Sequence, residues 1–177
     1  MKKLVLVLLM SLMLTSLSAC GSVSVSTSSD TSISKAGVSD SKAVSEGWNK
    51  VDKTVTIEDI SYTVNAYTFS KGSDFFEAEE GKTYCKFDIT VKNDTNEASA
   101  VSSLMMFDLN DADGNAYDLS LVGLATLEED NIEQLDGDVP AASEFRGGIV
   151  FEIPENSKGL TLTIKGLLSG EEKVSIN

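Results

Sequence analysis

The chain has 177 residues and a formal charge of −14, from 28 acidic residues against 14 basic ones, with no histidine and two cysteines. That length suits one domain plus a leader or tether, and the acidic balance argues against nucleic acid as a partner. Without histidine, Ser-His-Asp and Cys-His catalysis and His-ligated zinc are excluded.

Lys2 and Lys3 are followed by an apolar run over residues 4–17, the small pair Ser18-Ala19 and then Cys20. The run is too short to cross a hydrocarbon core, which takes about 20 helical residues. Basic start, short apolar centre and small residues before a cut mark a secretory signal peptide, residues 1–19. Leu17-Ser18-Ala19-Cys20 resembles the bacterial lipobox. The resemblance implies that the Cys20 sulfur carries a diacylglycerol and that cleavage leaves Cys20 as the new N-terminus. The chain is then a lipoprotein held at the extracytoplasmic face of the cell membrane, in the cell envelope. Each buried methylene contributes about 0.8 kcal/mol, and two chains hold where one is marginal. Losing Lys2 and Lys3 takes the charge from −14 to −16. An anionic membrane face repels such a domain, so attachment has to come from the lipid on Cys20.

Residues 22–46 contain ten Ser and no Pro, which reads as a flexible tether within residues 20–50. As a coil, about 30 such residues span about 30 Å. Trp48 and Val51 mark where the chain docks onto the folded domain, residues 51–177. Ser32-Ile33-Ser34-Lys35 and Ser39-Asp40-Ser41-Lys42 match the Ser-x-x-Lys of penicillin-interacting enzymes. Both lie in the tether, where nothing holds the lysine against the serine, so they carry no catalytic reading.

Strands are predicted at residues 54–57 and 60–64, then a loop at 70–81 and a long strand at 82–92. Residues 93–96 turn the chain into a segment at 98–109. A tight connection at 111–115 leads to a short strand at 116–119. Residues 122–138 read as a helical turn or irregular loop. Residues 144–153 form a strand, 154–159 a turn, 160–164 the return and 173–176 a last edge strand. About seven short strands with no room for crossover helices predict an all-β antiparallel sandwich. Its core draws on Ile57, Ile60, Tyr62, Val64, Cys85, Phe87, Ile89, Val91, Phe107, Leu109, Ile149, Phe151, Ile153, Leu160, Leu162 and Ile164. Cys85 falls on the apolar face of its strand and reads as a buried, inert thiol.

The chemistry-bearing candidates are few. Asp111-Ala112-Asp113-Gly114-Asn115 looks like the core of an EF-hand loop, but placing Gly114 at position six puts Ser120 where a carboxylate is required. A hairpin turn is the plainer account. Glu128, Glu129, Asp130, Glu133, Asp136 and Asp138 have no basic residue among them; they read as a solvated acidic loop, with weak Ca²⁺ binding or solute capture as the alternative. Paired carboxylates could also serve an envelope glycan-acting enzyme, although 25 acids in the domain make close pairs common by accident. Arg146 is the only arginine, which leaves little for a multi-Arg clamp. Phe75-Phe76 is the one exposed-looking aromatic pair, either capping the sandwich or meeting a partner.

Three segments in order, residues 81–93, 107–117 and 147–156, carry a family likeness. They read Gly81-Lys82-Thr83-Tyr84 through Val91-Lys92-Asn93, Phe107-Asp108-Leu109 through Asp113-Gly114-Asn115-Ala116-Tyr117, and Gly147-Gly148-Ile149-Val150-Phe151-Glu152-Ile153-Pro154-Glu155. This series resembles a family of bacterial lipoproteins of unknown function, related to the secreted immunoprotective antigens of mycobacteria. The resemblance implies an immunoglobulin-like β-sandwich. Where many members have Pro-Gly before the last long strand, this chain has Pro140-Ala141. The family brings no ligand and no catalytic residues. The expectation is therefore a non-catalytic binding or scaffolding module, without cofactor or metal, whose partner is an unknown envelope or extracellular protein or glycan. The loops at 70–81 and 121–138 are its expected contact surfaces.

Overall fold

The computed structural model describes residues 47–73 and 75–176; the leader, the Cys20 lipidation site and the tether through residue 46 expected from the sequence lie outside them. In chain order the strands are β1 (Asn49–Ile57), β2 (Ile60–Ser70), β3 (Lys82–Asn93), β4 (Ser99–Ser102) and β5 (Phe107–Asn110). They continue as β6 (Ala116–Tyr117), β7 (Asp136–Val139), β8 (Ser143–Pro154), β9 (Leu160–Lys165) and β10 (Glu171–Ile176). A helical turn α1 (Ser103–Met106) separates β4 from β5, and α2 (Leu121–Leu124) runs into a 3-10 helix, Ala125–Asp130.

One sheet has the order β1-β2-β3-β8 and a second the order β10-β9-β5-β6, while β4 and β7 make a separate ribbon. Every pairing in them is antiparallel. The predicted antiparallel sandwich is what forms, with ten strands among the described residues where the sequence suggests about seven. Residues 98–109 break around α1 rather than running as one strand, and residues 136–139 leave the loop to pair with β4.

All the core positions read from the sequence are buried in one cluster between the sheets. Tyr62 meets Phe107 across the sandwich, edge to face, at 6.4 Å between centroids, and Phe87 meets Phe151 at 6.1 Å. Each such side chain contributes about 1.5–3 kcal/mol on full burial. Tyr67, Val101, Met106, Leu135, Val139, Val174 and Ile176 join the same cluster. Tyr67 gets there through a bulge: Val64 pairs with Ile89 but Ala66 with Asp88, so Asn65 is an extra residue in β2. The extra residue shifts the alternation by one, which turns Tyr67 inward with Tyr62 and Val64. That shift also explains why β2 runs to Ser70 while the sequence pattern stops at residue 64.

Both edges of the β1-β2-β3-β8 sheet are protected. The free edge of β8 is partly paired, by a bridge from Leu119 to Phe151 and a parallel bridge from Gln134 to Gly148. Backbone bonds from Leu135 N–H to the Gly148 carbonyl (2.9 Å) and from Gly148 N–H to the Glu133 carbonyl (2.7 Å) hold the second contact. At the other edge β1 carries a bulge between Lys50 and Lys53 with Asp52 at a φ of 49°, and bulges and charges of this kind discourage edge pairing. The chain enters β1 at Gly47, whose carbonyl accepts from the Thr68 hydroxyl at 3.0 Å; Trp48 is half-buried and Val51 packs against the core.

The connection between β5 and β6 is organised by one carboxylate. Asp111 Oδ1 accepts from the backbone N–H groups of Asp113 (3.0 Å) and Asn115 (2.9 Å). Its Oδ2 accepts from Asn115 Nδ2 (2.8 Å) and from the Tyr117 hydroxyl (2.6 Å). Those bonds, led by the Asn115 amide and the Tyr117 hydroxyl, hold the Asp111 carboxyl down at about 2.

Two predictions follow from these contacts. A Cβ on Gly147 would lie 2.9 Å from the Leu135 Cα and 3.0 Å from the Glu133 carbonyl oxygen, both backbone atoms that cannot turn aside. A Cβ on Gly148 would meet the side-chain ends of Leu127 and Ile132, which can. Gly147→Ala therefore costs about 1–3 kcal/mol, and Gly148→Ala less, read from urea midpoints at equal m-value. The second prediction concerns acid. A folded-state pKa below the ordinary carboxylate value gives stability that is full above about pH 4. It is lost as pH falls through about 2. The melting-temperature gap between wild type and Asp111→Asn should be constant above pH 4 and close toward pH 2; a gap independent of pH would mean that the ionised carboxylate contributes nothing.

Candidate functional site

β3 alternates, and its second set of side chains faces away from the sandwich core. On an ordinary sandwich that face would be wet. Here Tyr84, Lys86 and Asp88 are 1%, 2% and 1% exposed, so a further layer must cover them. The layer is the segment from Leu119 to Gln134, which makes a second apolar cluster of Tyr84, Leu124, Leu127 and Val150, with Ala78, Leu119 and Ile132 against it. Ser120 starts α2 by accepting the Gly123 N–H on its hydroxyl (3.0 Å), a side-chain cap. Gly123 then lies so close to β3 and β8 that a Cβ would be 2.9 Å from the Tyr84 ring and 2.7 Å from Val150 Cγ1.

The buried charges under this layer are paired. Lys86 Nζ donates to the Thr126 carbonyl (3.0 Å) and to Asp130 Oδ2 (2.9 Å), both on the 3-10 helix. Arg146 forks onto Asp88, with Nε to Oδ1 at 2.8 Å and a terminal nitrogen to Oδ2 at 2.6 Å. The guanidinium pKa is raised mainly by that hydrogen bonding to Asp88. Asn65, the bulge residue, adds its amide to Asp88 Oδ1 at 3.2 Å and to Thr90 at 2.9 Å. The one arginine thus serves the fold.

The six-acid cluster separates in the same way. Asp130 is held by Lys86, and Asp136 accepts from the Ser103 N–H (2.9 Å), the Ser103 hydroxyl and the Gln134 amide. The expectation that the cluster has no basic neighbour holds in sequence but not in space, because β3 delivers Lys86 into it. Among the described residues no group of three or more acidic, Cys or His side chains is placed to share a metal ion. Asp111 spends both oxygens on its own turn, so the EF-hand-like motif is a hairpin device. Cys85 is fully buried and burial pushes its thiol up, away from the reactive thiolate.

Outside, the cover is apolar where it meets solvent. Leu121 is 71% and Val122 55% exposed, while Leu124 and Leu127 of the same helical run point inward. Beside them lies an open groove of about 490 Å³ lined by Leu121, Leu124, Ala125, Leu127 and Ile132 together with Glu128, Glu133 and Gln134. The loop at 71–81 also rests on Tyr84: the Tyr84 hydroxyl donates to the Glu77 carbonyl (3.2 Å), and a Cβ on Gly72 would be 3.0 Å from the Tyr84 ring. That loop leaves Phe75 90% and Phe76 39% exposed. The two loops expected to make contacts are therefore brought together on one strand residue, Tyr84. Sequence reasoning missed Leu124, Leu127 and Ile132 as the structural basis of this surface. The i, i+3 spacing of Leu121, Leu124 and Leu127 was the available signal.

Among the described residues no helix is long and apolar enough to cross a membrane. No curated protein matches the chain. Several solved structures share its fold. The yjhA protein of Bacillus subtilis superposes with a TM-score of 0.59 at 16% identity, over 72% of this chain and 99% of that one. A conserved hypothetical protein of Bacillus anthracis gives 0.54 at 17% identity, over 72% of this chain and 95% of that one. A lipoprotein candidate of Bacillus subtilis, ycdA, gives 0.55 at 13% identity over 73% of this chain; the alignment spans only 39% of ycdA. Residues 49–174 match the model of a family described as a domain of unknown function, DUF4352. By that match, over most of its length, the chain belongs to the DUF4352 family.

Proposed function

We propose that the protein is a lipoprotein anchored through Cys20 at the extracytoplasmic face of the membrane, and that its immunoglobulin-like sandwich is a non-catalytic binding module. The observation that carries the binding part is the apolar surface on the outer layer, where Leu121, Val122, Phe75 and Phe76 are exposed on two segments that share Tyr84 as their support. Several large apolar side chains exposed on two segments braced by one strand residue mark an interaction site more than an accident of packing. The anchoring part rests on the Leu17-Ser18-Ala19-Cys20 sequence, and the likeness to ycdA is in keeping with it.

A glycan-acting enzyme is the second reading, since Glu128 and Glu133 line one groove. Sugar subsites need hydrogen-bonding side chains and two acids set across the scissile bond. Beside Glu128, Glu133 and Gln134 the lining is Leu121, Leu124, Ala125, Leu127 and Ile132, and four large aliphatic side chains suit an apolar side chain better than a sugar ring.

Two experiments test the proposal. Cys20→Ala should abolish incorporation of labelled palmitate and release the chain from the membrane fraction; retention of label would overturn the anchor. A photoreactive residue at position 75 or 121 should capture the same envelope component in living cells. Capture of nothing above a scrambled-loop control at both positions would overturn the binding module.

A further inference from the structure

Resting on the binding-module reading, we propose that the groove beside α2 seats a short segment of a partner protein that carries basic side chains around an apolar one. The apolar residue enters between Leu121, Leu124, Leu127 and Ile132, and a lysine or arginine on either side meets Glu128 and Glu133.

Size, lining and charge lead to this occupant together. A volume of about 490 Å³ falls within the range of ligand sites, and its open form admits one or two large side chains of a passing chain. The floor is already formed, because Leu124 and Leu127 are part of the buried cluster on Tyr84 and Val150. A preformed floor spares a ligand the cost of ordering it. The two carboxylates differ from Asp130 and Asp136. Asp130 and Asp136 have internal partners, whereas the side chains of Glu128 and Glu133 are exposed and take part in no ion pair or hydrogen bond among the described residues. Two unpaired anions beside the side chains of Leu121, Leu124, Leu127 and Ile132 complement a cationic, apolar segment and repel an acidic one. The excess of acid across the whole domain acts in the same direction at longer range, drawing basic partners in faster at low salt.

The test uses the full mature chain in detergent and three synthetic nine-residue peptides. The first alternates Lys with Leu and Phe, the second replaces each Lys by Gln, and the third replaces each Lys by Glu. The basic peptide should shift the methyl resonances of Leu121, Leu124, Leu127 and Ile132, bind more tightly than the Gln peptide, and weaken with added salt; the Glu peptide should not bind. Glu128→Gln with Glu133→Gln should lower affinity for the basic peptide about tenfold, at unchanged melting temperature. The control pair Glu171→Gln with Glu172→Gln, on exposed β10 positions, should leave affinity nearly unchanged. Equal binding of the basic and Gln peptides, shifts centred away from the groove, or equal losses from the two double variants would each overturn the proposal. Capture from position 121 in cells together with failure of the basic peptide rejects this partner chemistry and leaves the binding module standing. Failure of both rejects the two readings together.

Discussion

β3 is buried on both faces, yet its outer face carries two charges, Lys86 and Asp88, at 2% and 1% exposure. Much of the structure answers that constraint. An ion left without a partner in such a place costs several kcal/mol, so each charge needs a partner of opposite sign and further hydrogen bonds. Asp88 obtains them from Arg146 on β8 and from Asn65 in the β2 bulge. Lys86 obtains them from the carbonyl of Thr126 and the carboxylate of Asp130. The neighbouring strands and the covering segment are thereby tied to one another through β3. The bulge, in supplying Asn65, also resets β2 so that Tyr67 reaches the core.

The same segment that covers these charges creates the surface proposed to bind. Its inward residues, Leu124, Leu127, Thr126 and Asp130, are committed to β3 and β8, which leaves Leu121, Val122, Glu128 and Glu133 outward. A helical turn of so few residues has little stability alone. It is held by the Ser120 cap, by Gly123 pressed against the Tyr84 ring and by the Lys86 ammonium below. The outward side chains are therefore displayed from a rigid base, which is the arrangement in which loops serve recognition best.

How far the sequence could be read follows from which faces obey a simple period. Residues 82–92 alternate without interruption, and every core position taken from that pattern and its partners is buried. Two departures hid the rest. In β2 the extra Asn65 breaks the alternation, so the strand looks finished where it only changes phase. On β3 the outer positions read Tyr84, Lys86, Asp88 and Thr90, the composition of a wet face, although the first three are buried. Polarity in sequence does not reveal that distant residues, Asp130 and Arg146, neutralise these groups in space. The close approach of another layer was marked more openly by Gly147-Gly148 inside a strand, because a strand glycine often signals a neighbouring backbone. The candidate surface was half legible: its loops were named, but their meeting at Tyr84 depends on contacts across the fold.

Charge and attachment bear on how such a surface would be used. The register places Asn49 opposite Tyr67 and Lys82 opposite Pro154, so the chain enters the sandwich at the end that carries the loop at 71–81. The groove lies instead on the outer face of the sheet, above Tyr84 and Val150. From Val51 onward the chain carries nine basic and 25 acidic residues, and an anionic membrane repels such a domain. On the proposed anchoring, a lipid on Cys20 would hold one end near the bilayer while charge would keep the sandwich from lying down on it. The face carrying Glu128 and Glu133 would then stay open to the basic partner proposed for it, whereas a neutral domain of the same shape would lose that face to the membrane surface whenever its apolar residues touched it.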